Sequence, residues 1–256
     1  MAASRPHIVR LAGILVASGV LLAGSRAAAQ EPSQPGRLGS VNVGLQLISD
    51  AFMNSSPYTV HGEIGKFEVH YDFTKALAVD AGMAYHVAKR FAIGFTVSYV
   101  DKATTAEIDA TVPHPFFFAF PRPATGSARG LRRREMGLHL QPQYWHPLSD
   151  RLLLRVYGGP TLFLLRQALV SDIVTEELGQ TFHQVRIANH RSRGTSGAAP
   201  GLNGGVEGSY LVTDRLGIGF GFRWSRGTKA IDVDGRVPTP VELGGLHFGG
   251  GLRVAL

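Results

Sequence analysis

Apolar and polar residues alternate with period two along much of the chain, most clearly over Ala76–Val100. Leu77, Val79, Ala81, Met83 and Tyr85 share one face, and Ala78, Asp80, Gly82, Ala84 and His86 share the other. After a tight turn at Val87–Arg90 the pattern resumes, with Ile93, Phe95, Val97 and Tyr99 against Ala92, Gly94, Thr96 and Ser98. That period belongs to a strand and cannot be used by a helix. One face is bulky and apolar, the other small or polar. A soluble sandwich would bury the bulky face, whereas a small membrane barrel turns it to lipid and fills its interior with polar groups.

The same alternation predicts strands at Val41–Leu47, Glu135–Tyr144, Leu152–Leu165, Gly201–Leu211, Gly217–Arg226 and Gly244–Leu256. With the two strands of Ala76–Val100 this makes eight. Phe67, Val69, Tyr71 and Phe73 also alternate, but Lys75 continues their face. A lysine at a bilayer midplane costs about 2–4 kcal/mol. Lys75 is therefore expected at the outer rim, with Phe67–Phe73 in a hairpin above the membrane; a ten-stranded barrel is the competing count. Short turns at Val87–Arg90, Trp145–Arg151 and Val212–Arg215 alternate with longer connections. Of these, Asp101–Arg134 and Arg166–Pro200 read as irregular and Gly227–Leu243 as a shorter loop containing Asp234-Gly235. Short periplasmic turns and long outer loops are the arrangement of outer-membrane barrels.

Two features favour the membrane reading. Tyr85, Tyr144 and Tyr210 end descending strands on the bulky face, while Tyr99 and Trp224 sit near the opposite ends. Those are two aromatic girdles at a membrane–water interface. The small face carries Asp80, Glu135, Glu207, Arg155, Arg223 and Arg253. A soluble core would not tolerate so many charges, but a barrel interior can pair them. The expected fold is all-β: an eight-stranded antiparallel up-and-down transmembrane β-barrel.

Composition adds an address. Arg5 and Arg10 precede the apolar run Leu11–Ala23, followed by Ala27-Ala28-Ala29. That is the layout of a secretory signal peptide, residues 1–29. Residues 30–40 form a flexible lead and 41–256 the barrel domain. The chain has no Cys, which excludes disulfides, thiolate chemistry and lipid attachment at a processed cysteine. The formal charge is +7, and three of those positive charges lie in the signal segment. The remaining balance is too mild to argue for nucleic acid.

With its signal segment, the hairpin Ala76–Val100 and the closing strand His247–Leu256, the chain resembles the small outer-membrane β-barrels of the OmpA/OmpX/OmpW-like superfamily of Gram-negative-type bacteria. In detail it is most similar to the uncharacterised outer-membrane beta-barrel proteins, through Val112–Pro123, Gly158-Gly159-Pro160 and Gly244–Leu256. The resemblance implies an outer-membrane location, with lipid, lipopolysaccharide and the barrel-assembly machinery as partners. Members usually end in an aromatic residue read by that machinery; this chain ends in Leu256 with Leu252 and Val254 in the same row. An architecture of this kind leaves the activity open.

Candidate chemistry is sparse. The inward residues Asp80, Glu135, His139, Arg155, Tyr157, Glu207, Arg223, His247 and Arg253 form an expected lumen network. Eight strands leave room for side chains to fill a lumen, so bracing is favoured over a channel. A turn centred near Pro147 would set His139 opposite Tyr157, and Glu207 is expected to pair with Arg223. His86, His139 and His247 lie on different strands with no HxxH spacing, and neither a metal nor a cofactor is expected. A lipid A deacylase would need His and Ser two residues apart; only His190-Arg191-Ser192 offers this, in a loop-like segment. Val112–Pro123 carries Phe116, Phe117, Phe118 and Phe120, expected to fold over the barrel mouth or pack on Phe67–Phe73; an exposed patch would mark an extracellular contact. Arg132, Arg133 and Arg134 stand where lipopolysaccharide phosphates would lie, or form an ordinary basic loop end. The expected role is non-enzymatic, structural or through surface loops with an unidentified partner. A narrow pore and a lipid A-modifying enzyme are the alternatives.

Overall fold

The computed structural model describes residues 36–48, 51–179, 182–231 and 238–256. The expected signal peptide, most of the lead and the Asp234-Gly235 turn lie outside the described residues. Ten strands follow in order: β1 (Arg37–Leu47), β2 (Ala51–Val60), β3 (Glu63–Asp72), β4 (Lys75–Ala88), β5 (Phe91–Val112), β6 (Arg122–Pro147), β7 (Leu152–Leu178), β8 (Gln184–Leu211), β9 (Leu216–Ile231) and β10 (Thr239–Ala255).

Eight of them close a ring. Antiparallel ladders run β1–β4–β5–β6–β7–β8–β9–β10, and β10 pairs back onto β1. The β2–β3 hairpin stands above β1–β4 and leans on the upper part of β5, pairing Lys66–His70 with Glu107–Thr111. Its two-residue turn, His61-Gly62, holds both residues at positive φ, the geometry that matches the twist of paired strands. The hairpin thus leaves the count of wall strands at eight.

The long connections differ from expectation. Asp101–Arg134 and Arg166–Pro200 are not irregular: β5, β6, β7 and β8 run through them for 22, 26, 27 and 28 residues. A tilted crossing needs about 9–11 residues, so the ladders continue well beyond a bilayer. At about 3.3 Å per residue, β8 is about 90 Å long along its course. The turn after Tyr144 is also tighter than the sequence suggested. β6 extends to Pro147, and the β6–β7 register centres on Asp150, leaving Trp145 inside the barrel.

Polarity inverts partway up the wall. Along the lower half of β5, Ile93, Phe95 and Tyr99 are exposed while Ala92 and Ser98 are buried. Beyond Asp101 the outward positions become Glu107, Asp109 and Thr111, and the inward ones Ala106, Ile108, Ala110 and Val112. β3 and β4 make the same switch by a one-residue break at Phe73-Thr74. Phe67, Val69, Tyr71 and Phe73 point in, whereas Leu77, Val79 and Met83 point out. A shift of one residue exchanges the faces of a strand. Below the inversion, exposed apolar residues surround a buried polar interior, the reverse of a water-soluble protein. Above it, an apolar core lies inside a polar wall. The chain is an integral membrane β-barrel of outer-membrane type, and the inversion marks its upper membrane boundary.

Candidate functional site

The lumen is filled in three layers. At the end with the short turns Trp145, Leu38, Ala84, Ala92, Leu153 and Ala255 form an apolar plug. The Trp145 indole stacks on His86 at 5.5 Å and donates to Gln143 Oε1 at 2.9 Å.

The middle layer is polar, in two hydrogen-bonded groups. Glu207 accepts from Arg155, from Arg253 Nε at 2.6 Å and from Ser209 Oγ at 3.0 Å. Arg253 Nη1 donates to Asn42 Oδ1 at 2.7 Å, and Asn42 Nδ2 donates to Asp80 Oδ1 at 2.7 Å. Arg223 Nη2 lies 3.4 Å from Asp80 Oδ2, and His247 Nδ1 lies 3.5 Å from the same oxygen. His139 sits between Ser98 (2.9 Å) and Thr161 (2.8 Å), and Gln141 Nε2 donates to Asn203 Oδ1 at 2.9 Å. A space of about 30 Å³ remains among these groups, with Tyr157 on its wall.

Two expected pairs are corrected. Glu207 faces Gly221 across β8–β9 and turns to Arg155 and Arg253; Arg223, two residues further along, reaches Asp80 instead. His139 opposes Thr161 rather than Tyr157, because the turn centres three residues later than Pro147.

The upper layer is the apolar core of Phe67, Phe73, Phe163, Leu165, Leu169 and Leu243 with their neighbours. Glu135 seals its base, accepting from Gly244 N at 2.8 Å and Arg133 Nη2 at 3.0 Å. Arg133 is fully buried, with its guanidinium 5.7 Å from the Phe73 ring centroid. It therefore cannot touch lipopolysaccharide as expected; strand alternation turns it in and leaves Arg132 and Arg134 out. Tyr71 accepts from Val170 N at 2.9 Å, and burial pushes its hydroxyl up to about 12.

On the outer surface, Tyr85, Tyr210, Tyr99 and Trp224 are exposed and Tyr144 half-buried. Arg37 lies over Tyr85 at 5.5 Å, and Phe91 packs edge-on against Tyr144 at 5.6 Å. Arg132 grips Asp101 through Nε and Nη2, both at 2.6 Å, and Arg134 Nε lies 3.3 Å from Asp101. At the far tip, Phe116, Phe117, Phe118 and Phe120 are exposed, contrary to the expectation that they cover the barrel mouth. They gather around buried His114 and against Phe182, 5.0 Å from Phe116. Buried Arg122 braces this tip by donating to Pro113 O at 2.8 Å and to Glu177. The Arg122 hydrogen bond draws the Glu177 carboxyl below its usual range.

Sequence reasoning missed Asn42, Gln141, Asn203, Trp145 and Arg122. The first three occupy inward positions where an amide reads as one more small polar residue. Arg122 sits in a segment taken for loop, although its alternation with Ala124 was available.

No family model matches the chain, and no curated protein does. Solved structures similar to it are outer-membrane proteins. OprG from Pseudomonas aeruginosa is 9% identical, with 87% of this chain and 97% of that one covered at a TM-score of 0.44. Neisserial surface protein A is 12% identical, with 86% and 96% covered at 0.39. AlkL, solved in lipid bilayers, is 14% identical, with 92% and 97% covered at 0.32. At those scores the assignment rests on the closed ring and the inverted surface polarity.

Proposed function

We propose that the chain is a non-conducting, non-enzymatic outer-membrane barrel that carries a rigid β-extension and presents its aromatic tip at the cell surface. The observation behind this reading is the filled interior. An apolar plug, a polar network and an apolar core follow one another along the axis, and the space of about 30 Å³ among the network residues has room for no more than a few water molecules. The ladders that continue above the membrane make a stiff support, and Phe116–Phe120 at its end are apolar surface of the kind that marks contacts. The extracellular partner is a protein or surface bearing complementary apolar groups; outer-leaflet lipid and lipopolysaccharide surround the wall, and the assembly machinery inserts it. Against an enzymatic role, half-buried His190 has no carboxylate partner for its ring among the described residues.

The test is planar-bilayer recording of the purified parent protein. No steady conductance is expected, and a large steady current would replace this reading with the pore. Mass analysis of lipid A from cells with and without the protein should show one composition; a changed acylation pattern would make it an enzyme.

A further inference from the structure

Two rows of outward side chains cross β5–β8 at the level where polarity inverts. The lower row is Tyr99, Met136, Leu164 and Ala198; the upper row is Asp101, Arg134, Arg166 and Ser196. Arg132 stands one step higher, opposite Ala103. Directly opposed residues on neighbouring strands are about 5 Å apart, and like charges there repel. Arg134 and Arg166 are such a pair. The row has one carboxylate, Asp101, already held by Arg132 through two bonds. Arg166 is exposed and has no hydrogen-bond or ion-pair partner among the described residues. Three guanidinium groups against one carboxylate leave two positive charges uncompensated.

The surface around them is hollow. A depression of about 540 Å³ is floored by Tyr99, Met136 and Leu164 and topped by Arg134, Arg166 and Ser196. A second, of about 370 Å³, shares those last three residues and continues upward past Thr195. It also reaches Gln167, where β6 and β7 stop pairing; the buried Gln167 amide has no partner at either Oε1 or Nε2. Apolar floor below and paired guanidinium groups above suit a ligand with an acyl chain under a phosphate.

We propose that this seam binds the phosphate monoester of lipopolysaccharide, with Arg134 and Arg166 on the phosphate and an acyl chain along Tyr99, Met136 and Leu164. Such a phosphate carries between one and a half and two negative charges, matching the two left over here. The phosphodiester of a phospholipid carries one. Planar guanidinium groups engage phosphate oxygens in pairs, which relieves the repulsion between two opposed arginines. The site rests on the outer-membrane placement above and is independent of whether the lumen conducts.

The experiment is equilibrium binding of fluorescent lipopolysaccharide to the purified full-length barrel in neutral detergent micelles. Phosphatase-treated lipopolysaccharide and phosphatidylglycerol serve as parallel ligands. Arg134→Gln with Arg166→Gln should weaken intact lipopolysaccharide at least tenfold. Arg166→Gln alone, which leaves no protein group unpaired, should weaken it several-fold, and Arg166→Lys less. Arg186→Gln, on the extension beside Glu176, should match the parent. The treated ligand should bind the parent weakly and lose nothing further in the double variant. Folding of each variant is checked by heat-dependent gel mobility. Unchanged binding by folded Arg166→Gln, or equal binding of treated and intact ligand, overturns the site. Phosphatidylglycerol binding as tightly as lipopolysaccharide, with the same arginine dependence, overturns the monoester assignment. A conducting parent would undo the non-conducting reading of the barrel and leave these outcomes unaffected.

Discussion

Glu207 accepts hydrogen bonds from two buried arginines, and removing its charge is the sharpest test of the network. In Glu207→Gln the side chain keeps its shape, but Arg155 and Arg253 lose the anion between them. Both arginines are almost fully buried. Taking one partner from a buried ion pair costs about 3–5 kcal/mol, chiefly because the remaining charge is left uncompensated. Two cations share Glu207, so the loss should fall in the upper part of that range. Arg253 is held also by Asn42, which in turn holds Asp80, so the disturbance should spread along the chain of bonds. Replacing all three charges, as Arg155→Met, Glu207→Leu and Arg253→Met together, should recover most of the loss. The assay is urea unfolding in lipid vesicles, followed by gel mobility and tryptophan fluorescence. A double-mutant cycle adds the geometry: Glu207 and Arg253 should couple by at least about 1 kcal/mol, and by more than Glu207 and Arg223, which meet only through Arg253, Asn42 and Asp80. A Glu207→Gln midpoint equal to the parent's, or a Glu207–Arg223 coupling larger than that of Glu207 with Arg253, would refute the arrangement.

Phe220 is exposed on the lipid face, so Phe220→Arg should cost about 2–4 kcal/mol and impair membrane assembly, read as loss of the folded gel species. Gly219→Ser, one residue away, should also be damaging, because a Cβ there would meet the Arg253 guanidinium at 2.6 Å and that group is bonded on both sides; a wild-type urea midpoint would contradict this. Single cysteines at Lys89, Asp150 or Asp214 should stay unlabelled by impermeant reagent on intact cells, whereas Ala119→Cys should label; external labelling at position 150 would reverse the topology. At the tip, Glu177 has a folded pKa below its unfolded value of about 4.3, so its clamp on Arg122 is present above that pH and lost as acid protonates it. A spin label at position 119 should therefore become more mobile in the parent as pH falls through that lowered value, while Glu177→Gln shows little change over the same range.

The transmembrane half was legible because alternation there has one consistent sense, from Leu77 to Leu252. Its inward charges were legible too, since Asp80, Arg155, Glu207 and Arg253 stand in the small-residue rows. Their pairing was not. Partners in a barrel come from strand stagger and side-chain reach across the lumen, neither of which leaves a mark on local sequence. Arg223 reaches β4 and Arg253 reaches β8, strands distant in the chain. The polar amides escaped notice because Asn42 and Asn203 carry no charge, yet each joins groups that would otherwise be isolated.

The extension was hidden by a change of sign rather than a loss of pattern. Glu107, Asp109 and Thr111 alternate with Ala106, Ile108, Ala110 and Val112 as strictly as Ile93–Tyr99 does below, but with the apolar residues on the opposite wall. Polar outward residues read as loop when the expected outside is lipid. The inversion falls between Tyr99 and Asp101 on β5, between Met136 and Arg134 on β6 and between Leu164 and Arg166 on β7, at paired positions. A switch at neighbouring heights on three adjacent strands fits a single membrane boundary. It also places Arg134 and Arg166 on one line at that boundary, so the repulsion between them follows from the way the wall meets the membrane.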